Sequence, residues 1–259
     1  MIRFLILLIF PLFLFAKVQI TTYFPLESAI VKKIAQNGGD ISEITHRYNT
    51  KKVELPESAL KKLSNAKLFI YFGLDIEKEY AEVLKAKNPK IELVNLSLNI
   101  EKIGNNPYFW TDPFNLKIVA KTIFENLVKI DPRNINYYQK NLDKFNDEID
   151  EVFLTVMKSL NKSHISSFFT LEEHLEYFAK RFRLEAITKD KKIYTTKDLN
   201  ELETKYKDMQ IKRVVYANQK DLDLVKQIST ILDAKSLDID IFDEDWQNAL
   251  FELSDFLTR

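Results

Sequence analysis

The chain has 259 residues, enough for one large domain or two lobes, and its 46 % hydrophobic and 29 % charged content fits a protein with a real core. Basic and acidic side chains balance at 38 each, so the basic excess that favours a nucleic-acid partner is missing. Cysteine is absent, which excludes disulfides, thiolate metal sites, cysteine catalysis and a lipid-modified cysteine.

The first residues read as a leader. Met1-Ile2-Arg3 gives a short positive start, Phe4 to Phe15 is almost wholly apolar, and Ala16 precedes the first lysine. That is the pattern of a cleavable secretory signal peptide over residues 1–16. The run is short of the roughly 20 residues a membrane span needs. An uncleaved anchor is the alternative, since Leu14 is a poor residue at the −3 position of the cut. The mature protein is expected in a Gram-negative periplasm, not as a lipoprotein.

From Lys17 short β runs alternate with longer helical ones. Strands are predicted over 18–23, 41–45, 67–72 and 91–94, and helices over 26–35, 56–65 and 76–86. The segment "KLFIYF" closed by Gly73 has the continuous apolar character of a buried parallel strand. The stretch Asn106–Asn115, "NPYFWTDPFN", then packs two prolines and four aromatics ahead of a helix, with Asp112 as N-cap and Pro113 at the first helical position. Asp131-Pro132 repeats that start signal and opens a helix from about 133 to about 160 with no Gly or Pro inside it. About 28 residues at 1.5 Å each span about 42 Å, long enough to link two lobes.

After it the first rhythm returns. Strands are predicted over 165–170, 184–188, 213–217 and 236–239, and helices over 172–182, 196–209, 222–232 and 246–257. Strands alternating with helices of this length mean parallel βα units. The expected fold is α/β: two parallel βα lobes with four-stranded sheets, joined by one long rigid helix, with a cleft between them. The division is residues 17–131, linker 132–162, and 163–259.

Ligands of open parallel sheets bind beyond the carboxyl ends of strands, so those loops are where chemistry is sought. Four glycines leave no room for a phosphate loop or a dinucleotide fingerprint, and no Gly-x-Ser-x-Gly elbow is present. The three histidines, His46, His164 and His174, are too scattered to make a spaced metal motif. The acids after strands are more suggestive. Glu172 and Glu173 either compensate a helix dipole or face a cleft. Asp238 and Asp240 alternate with Leu237 and Ile239 and are expected on one side of a last strand, either at a solvated edge or at the cleft. Two carboxylates from different elements can hold a divalent cation through oxygen.

Layout and motifs together resemble the periplasmic solute-binding proteins of zinc and manganese ABC importers, over essentially the whole mature chain. The resemblance is carried by "TTYFPL" with "GGD", "LKKLSNAKLFIYFGLDIE", "WTDPFN", "DPRNINYYQKNLDKF" and "EYFAKRFRLE". It implies a non-enzymatic monomer that captures Zn²⁺ or Mn²⁺ between lobes, with small lobe movements, and delivers it to an inner-membrane ABC permease. The ligands it implies match only in part. The loop of the first family histidine is shortened to "THRYNTKKVELP", with Lys51 near the ligand position and His46 several residues upstream. Tyr108 stands where the second histidine is expected. Glu172 falls at the third position, and Asp240 at the fourth with Asp238 as the register alternative. The implied metal set is therefore Glu172, Asp240, His46 and the altered position Tyr108, with water as a further ligand. His174 reads as a core or surface histidine. Two other readings follow from the altered ligands: a member that has lost metal binding and serves as an accessory or interaction protein, or one whose Lys51 and Tyr108 hold a chelated metal or small anion.

Overall fold

The protein's computed structural model describes residues 17–45, 53–188, 195–206, 211–217 and 222–259. The expected leader, His46 and Lys51 lie outside these residues. Among the described residues no helix is long and apolar enough to cross a membrane.

The chain opens with β1 (Val18–Thr22), α1 (Pro25–Ala35), β2 (Gly39–Glu43), α2 (Glu57–Ser64), β3 (Leu68–Tyr71), α3 (Asp75–Lys87) and β4 (Glu92–Asn95). The four strands form one sheet in the order β2-β1-β3-β4, every neighbouring pair parallel. All four residues of β3 are buried, as a central strand covered on both faces requires.

Two helices follow, α4 (Pro113–Ile130) and the 29-residue α5 (Ile135–Ser163). At 1.5 Å per residue α5 is about 43 Å long. Its buried residues Tyr138, Leu142, Phe145, Ile149, Val152, Val156 and Leu160 recur at three- and four-residue spacing and pack on α1 and α4. The two Asp-Pro signals act differently. Asp112 caps α4, its Oδ1 accepting from the Phe114 N–H at 2.8 Å. Asp131 makes no such cap. Its Oδ2 accepts from Asn134 Nδ2 at 2.6 Å and from the Tyr138 hydroxyl at 2.9 Å. Pro132–Asn134 form a 3-10 turn, and α5 begins at Ile135.

The second half runs β5 (Ser167–Thr170), α6 (Glu176–Phe182), β6 (Glu185–Ile187), α7 (Thr196–Tyr206), β7 (Arg213–Tyr216), α8 (Leu222–Ile231), β8 (Lys235–Asp238) and α9 (Trp246–Thr258). Its sheet, β6-β5-β7-β8, repeats the topology of the first. The helix expected over 172–182 is broken in two: Glu173–Leu175 make a 3-10 turn before α6.

One hydrophobic core runs through both lobes and the helices between them, with α9 packed on α5. A smaller cluster of Phe169, Ile187, Leu202, Tyr206, Val214 and Ile228 covers the outer side of the second sheet. The lobes meet at an aromatic seam. Phe72 stacks on Trp110 at 4.3 Å, Trp110 lies 5.0 Å from Phe242, and Phe242 lies 4.4 Å from Phe24 (ring centroids). Trp110 Nε1 donates to the Ile241 carbonyl across the seam at 2.8 Å.

Candidate functional site

In each sheet the chain order reverses between the two central strands, β1 and β3 in the first lobe and β5 and β7 in the second. The crevice beyond that reversal is where an open parallel sheet receives a ligand.

In the first lobe the crevice is filled by the protein itself. Glu27, in the first turn of α1, reaches back so that Oε2 accepts the N–H groups of Tyr23 at 2.7 Å and Phe24 at 3.1 Å. Its Oε1 accepts the Phe72 N–H at 2.8 Å, tying β1 to β3. Glu77 does the same in α3, its Oε2 accepting from Gly73 at 2.7 Å and Leu74 at 2.6 Å. Both glutamates are completely buried. The bend at Gly73 needs a positive φ, +103°, and a side chain there would meet Asn95 Oδ1 at 2.6 Å. The two carboxyls hydrogen-bond each other. Burial, then the Glu77 charge and that bond, hold Glu27 well above the usual carboxylate range. Burial also raises Glu77, against the hydrogen bonds from Glu27 and the backbone of Leu74, Gly73 and Phe72. Both shifts favour a pair that holds one shared proton, because two ionised carboxylates at this depth would repel without solvent screening.

The aromatic loop belongs as much to the second lobe as to the first. Asn106 Nδ2 donates to the Glu173 carbonyl at 2.6 Å and to Glu176 Oε2 at 2.9 Å, while its Oδ1 accepts the Tyr108 N–H at 2.8 Å. The Tyr177 hydroxyl accepts from the Ile103 N–H at 2.9 Å. Asp112, besides capping α4, takes a bidentate grip from Arg181, with both N–O distances 2.7 Å. A cavity of about 230 Å³ opens beside the seam between Gly73, Ser97, Lys102, Asn106 and Tyr177, and among the described residues none of the expected ligands lines it.

Those expected ligands are placed as follows. Glu172 stands at the carboxyl end of β5 with 58 % of its side chain exposed. Tyr108 is half-buried between Trp110 and the imidazole of His174, whose ring centroid lies 4.2 Å from its own. His174 is the residue the sequence reading placed in the core or at the surface. It is buried, and its Nε2 lies 2.8 Å from Glu172 Oε2. The contact lacks hydrogen-bond geometry, and Nε2 has no hydrogen-bond partner. The signal for it was present, a histidine two residues after the candidate acid at a strand end.

Asp238 is the last residue of β8, paired with Tyr216, the last of β7. The ladder has run out before Asp240, so the expectation that the two acids share a strand face is corrected. Asp240 sits in a turn, its Oδ1 accepting the Phe242 N–H at 2.8 Å. Its side chain is exposed yet stands beside the apolar floor of Trp110, Ile241 and Trp246, and that desolvation is the main cause of its raised pKa. The Asp243 and Asp238 charges raise it further, against the Phe242 N–H. Among the described residues no three His, Asp or Glu side chains converge as a metal site. Glu172 and His174 form a pair that Asp240 does not join.

Comparison with known proteins agrees with this architecture. Residues 20–255 match the family model described as ZnuA, zinc-uptake complex component A, periplasmic. The manganese ABC transporter substrate-binding lipoprotein PsaA of Streptococcus pneumoniae serotype 4 is 28 % identical over 176 residues, 59 % of this chain and 55 % of that protein. The chain thus spans about half the length of the curated relatives it matches. A crystal structure of ZnuA superimposes with a TM-score of 0.84 at 22 % identity, over 92 % of this chain and 97 % of that one. The Cd-bound periplasmic metal-binding protein of Candidatus Liberibacter asiaticus gives 0.81 at 18 % identity, over 93 % of this chain and all of that one.

Proposed function

The chain belongs to the ZnuA family of periplasmic zinc-uptake components, and on that premise we propose that it is the solute-binding component of a zinc- or manganese-type ABC importer. It captures one divalent ion at the seam between its lobes and presents it to an inner-membrane permease. The observation that carries the reading is the position of Glu172, a solvent-reachable carboxylate at the carboxyl end of β5, beside the sheet's point of reversal and next to His174, whose ring packs on Tyr108 of the aromatic loop. The proposed ligand set is Glu172 with Asp240 and His46, gathered as the ion binds, with water completing the shell. Tyr108 serves as a wall, because a phenol is a far poorer metal donor than an imidazole or a carboxylate. The chain acts as an exported monomer, its residues 17–131 and 163–259 as the lobes and 132–162 as the link.

Calorimetric titration of the purified, metal-stripped protein with Zn²⁺ and Mn²⁺ tests this. Saturable one-to-one binding, weakened by Glu172→Ala and by Asp240→Ala, is the expected result. A folded protein that gives no binding with either ion would end the proposal.

A further inference from the structure

The geometry points to His174 as a further nitrogen ligand of the captured ion, acting with Glu172 as a two-residue anchor on the second lobe. This rests on the reading that a divalent ion is taken up at the seam.

Three observations lead to it. First, His174 is 2 % exposed, and its Nε2 is buried without a hydrogen-bond partner. A buried polar nitrogen normally finds a partner, and an exception calls for an unseen one. Second, the nearest polar atom is Glu172 Oε2, 2.8 Å away and outside hydrogen-bond geometry. A nitrogen and a carboxylate oxygen held side by side, each not aimed at the other, are placed to share a third atom. Two ligand atoms about 2.1 Å from one tetrahedral ion lie about 3.4 Å apart, so the pair need open by only about 0.6 Å. Third, His174 is held at both its ring and its backbone. The Tyr108 ring lies against it at 51°, and Thr111 Oγ1 donates to the His174 carbonyl at 3.1 Å. The Tyr108 carbonyl, 3.0 Å from the same oxygen, shares that single hydroxyl hydrogen, so one hydroxyl bridges the backbones of both residues. Such support keeps a ligand's orientation from being lost when the site is empty.

The donor pair states a preference. An imidazole nitrogen with one carboxylate favours Zn²⁺ over Mn²⁺ and disfavours Mg²⁺ and Ca²⁺, which prefer all-oxygen shells. Glu172, largely exposed, gives the ion its approach, and His174 gives the depth.

The test needs no mutation at first. The sequence has three histidines, so the imidazole ¹⁵N resonances are few enough to assign. Titrating the ¹⁵N-labelled, metal-stripped protein with Zn²⁺ should move the His174 Nε2 resonance by a direct-coordination shift in step with calorimetric saturation. Zn²⁺ that saturates the protein while His174 Nε2 stays unmoved overturns the inference and leaves the importer reading intact. Absence of Zn²⁺ binding overturns the inference, and absence of Mn²⁺ binding as well overturns both. His174→Gln, with an unchanged melting profile, should weaken Zn²⁺ binding at least about tenfold, the scale on which even supporting residues of metal sites act. An effect below twofold in that folded variant would overturn it as well.

Discussion

The two lobes share one topology and put their central strand ends to opposite uses. In the first, the crevice beyond β1 and β3 is closed by Glu27 and Glu77, which accept backbone N–H groups from Tyr23, Phe24, Phe72, Gly73 and Leu74. In the second, the residues beyond β5 are Glu172, turned largely to solvent, and His174, buried with Nε2 unsatisfied. Carboxylates of the same chemical kind thus serve as internal ligands for the chain on one side and, in the proposed role, as donor for an outside ion on the other. What separates them is position along the helix that follows. Glu27 and Glu77 are the third residues of α1 and α3, where a glutamate folds back on the N-terminal amides. Glu172 precedes a 3-10 turn that lacks such a helix start, so its side chain is not recruited inward.

The sharpest way to break this contrast is Glu77→Ala set beside Glu172→Ala. Loss of Glu77 leaves the half-buried Gly73 and Leu74 amides without acceptors and the Glu27 carboxyl without its partner. A stability loss of about 3–5 kcal/mol in chemical denaturation is expected. Glu172→Ala, at an exposed site, should change stability by less than about 0.5 kcal/mol. Equal losses would mean that the lobes do not differ in this way.

A second measurement follows the shared proton. Glu27 has a folded-state pKa above its unfolded value, so the folded protein binds the extra proton. Stability from this group is therefore greatest below the unfolded value of about 4.3, and it declines as pH rises until the folded pair gives the proton up. Glu27→Gln keeps a neutral, hydrogen-bonding side chain and removes that titration. Subtracting its stability profile from that of the unaltered protein should leave a difference that falls with pH above about 5, at no more than about 1.4 kcal/mol per pH unit. A level difference across the range would show that no proton is held there.

The link between lobes gives the smallest effect. Arg181→Ala removes the bidentate contact to Asp112 and a cation–π contact with Phe114, whose ring centroid lies 4.4 Å from the guanidinium. The arginine is one-third exposed, which screens the ion pair, and a loss of about 1 kcal/mol in thermal unfolding is expected. Because Asp112 still caps α4, helix content should stay unchanged by circular dichroism.

Much of the fold was legible because it is written in local periods. "KLFIYF" could hardly be other than a central strand, and the three- and four-residue spacing from Tyr138 to Leu160 marked the long helix. The same local reading failed where a side chain's fate depends on a distant one. Asp131 looked like Asp112, but the Tyr138 hydroxyl one turn into the next helix claims its carboxylate. Asp240 looked like a strand residue, but β7 ends too early to pair it. His174 looked like packing, and only the arrival of Tyr108 from 66 positions earlier along the chain shows which way its ring is held. Nor did the local pattern of the aromatic loop reveal that Trp110 would stack on Phe72 and reach the Ile241 carbonyl 131 positions further along the chain.

That last residue has an optical consequence. The sequence has two tryptophans, and Trp110 lies buried in the seam with its indole N–H spoken for by the opposite lobe. Any parting of the lobes must unstack it from Phe72, break that bond and admit water to the ring. The protein thus carries a chromophore at its own joint: its ultraviolet emission shifts to longer wavelength when the joint opens and returns when it shuts, with no dye attached.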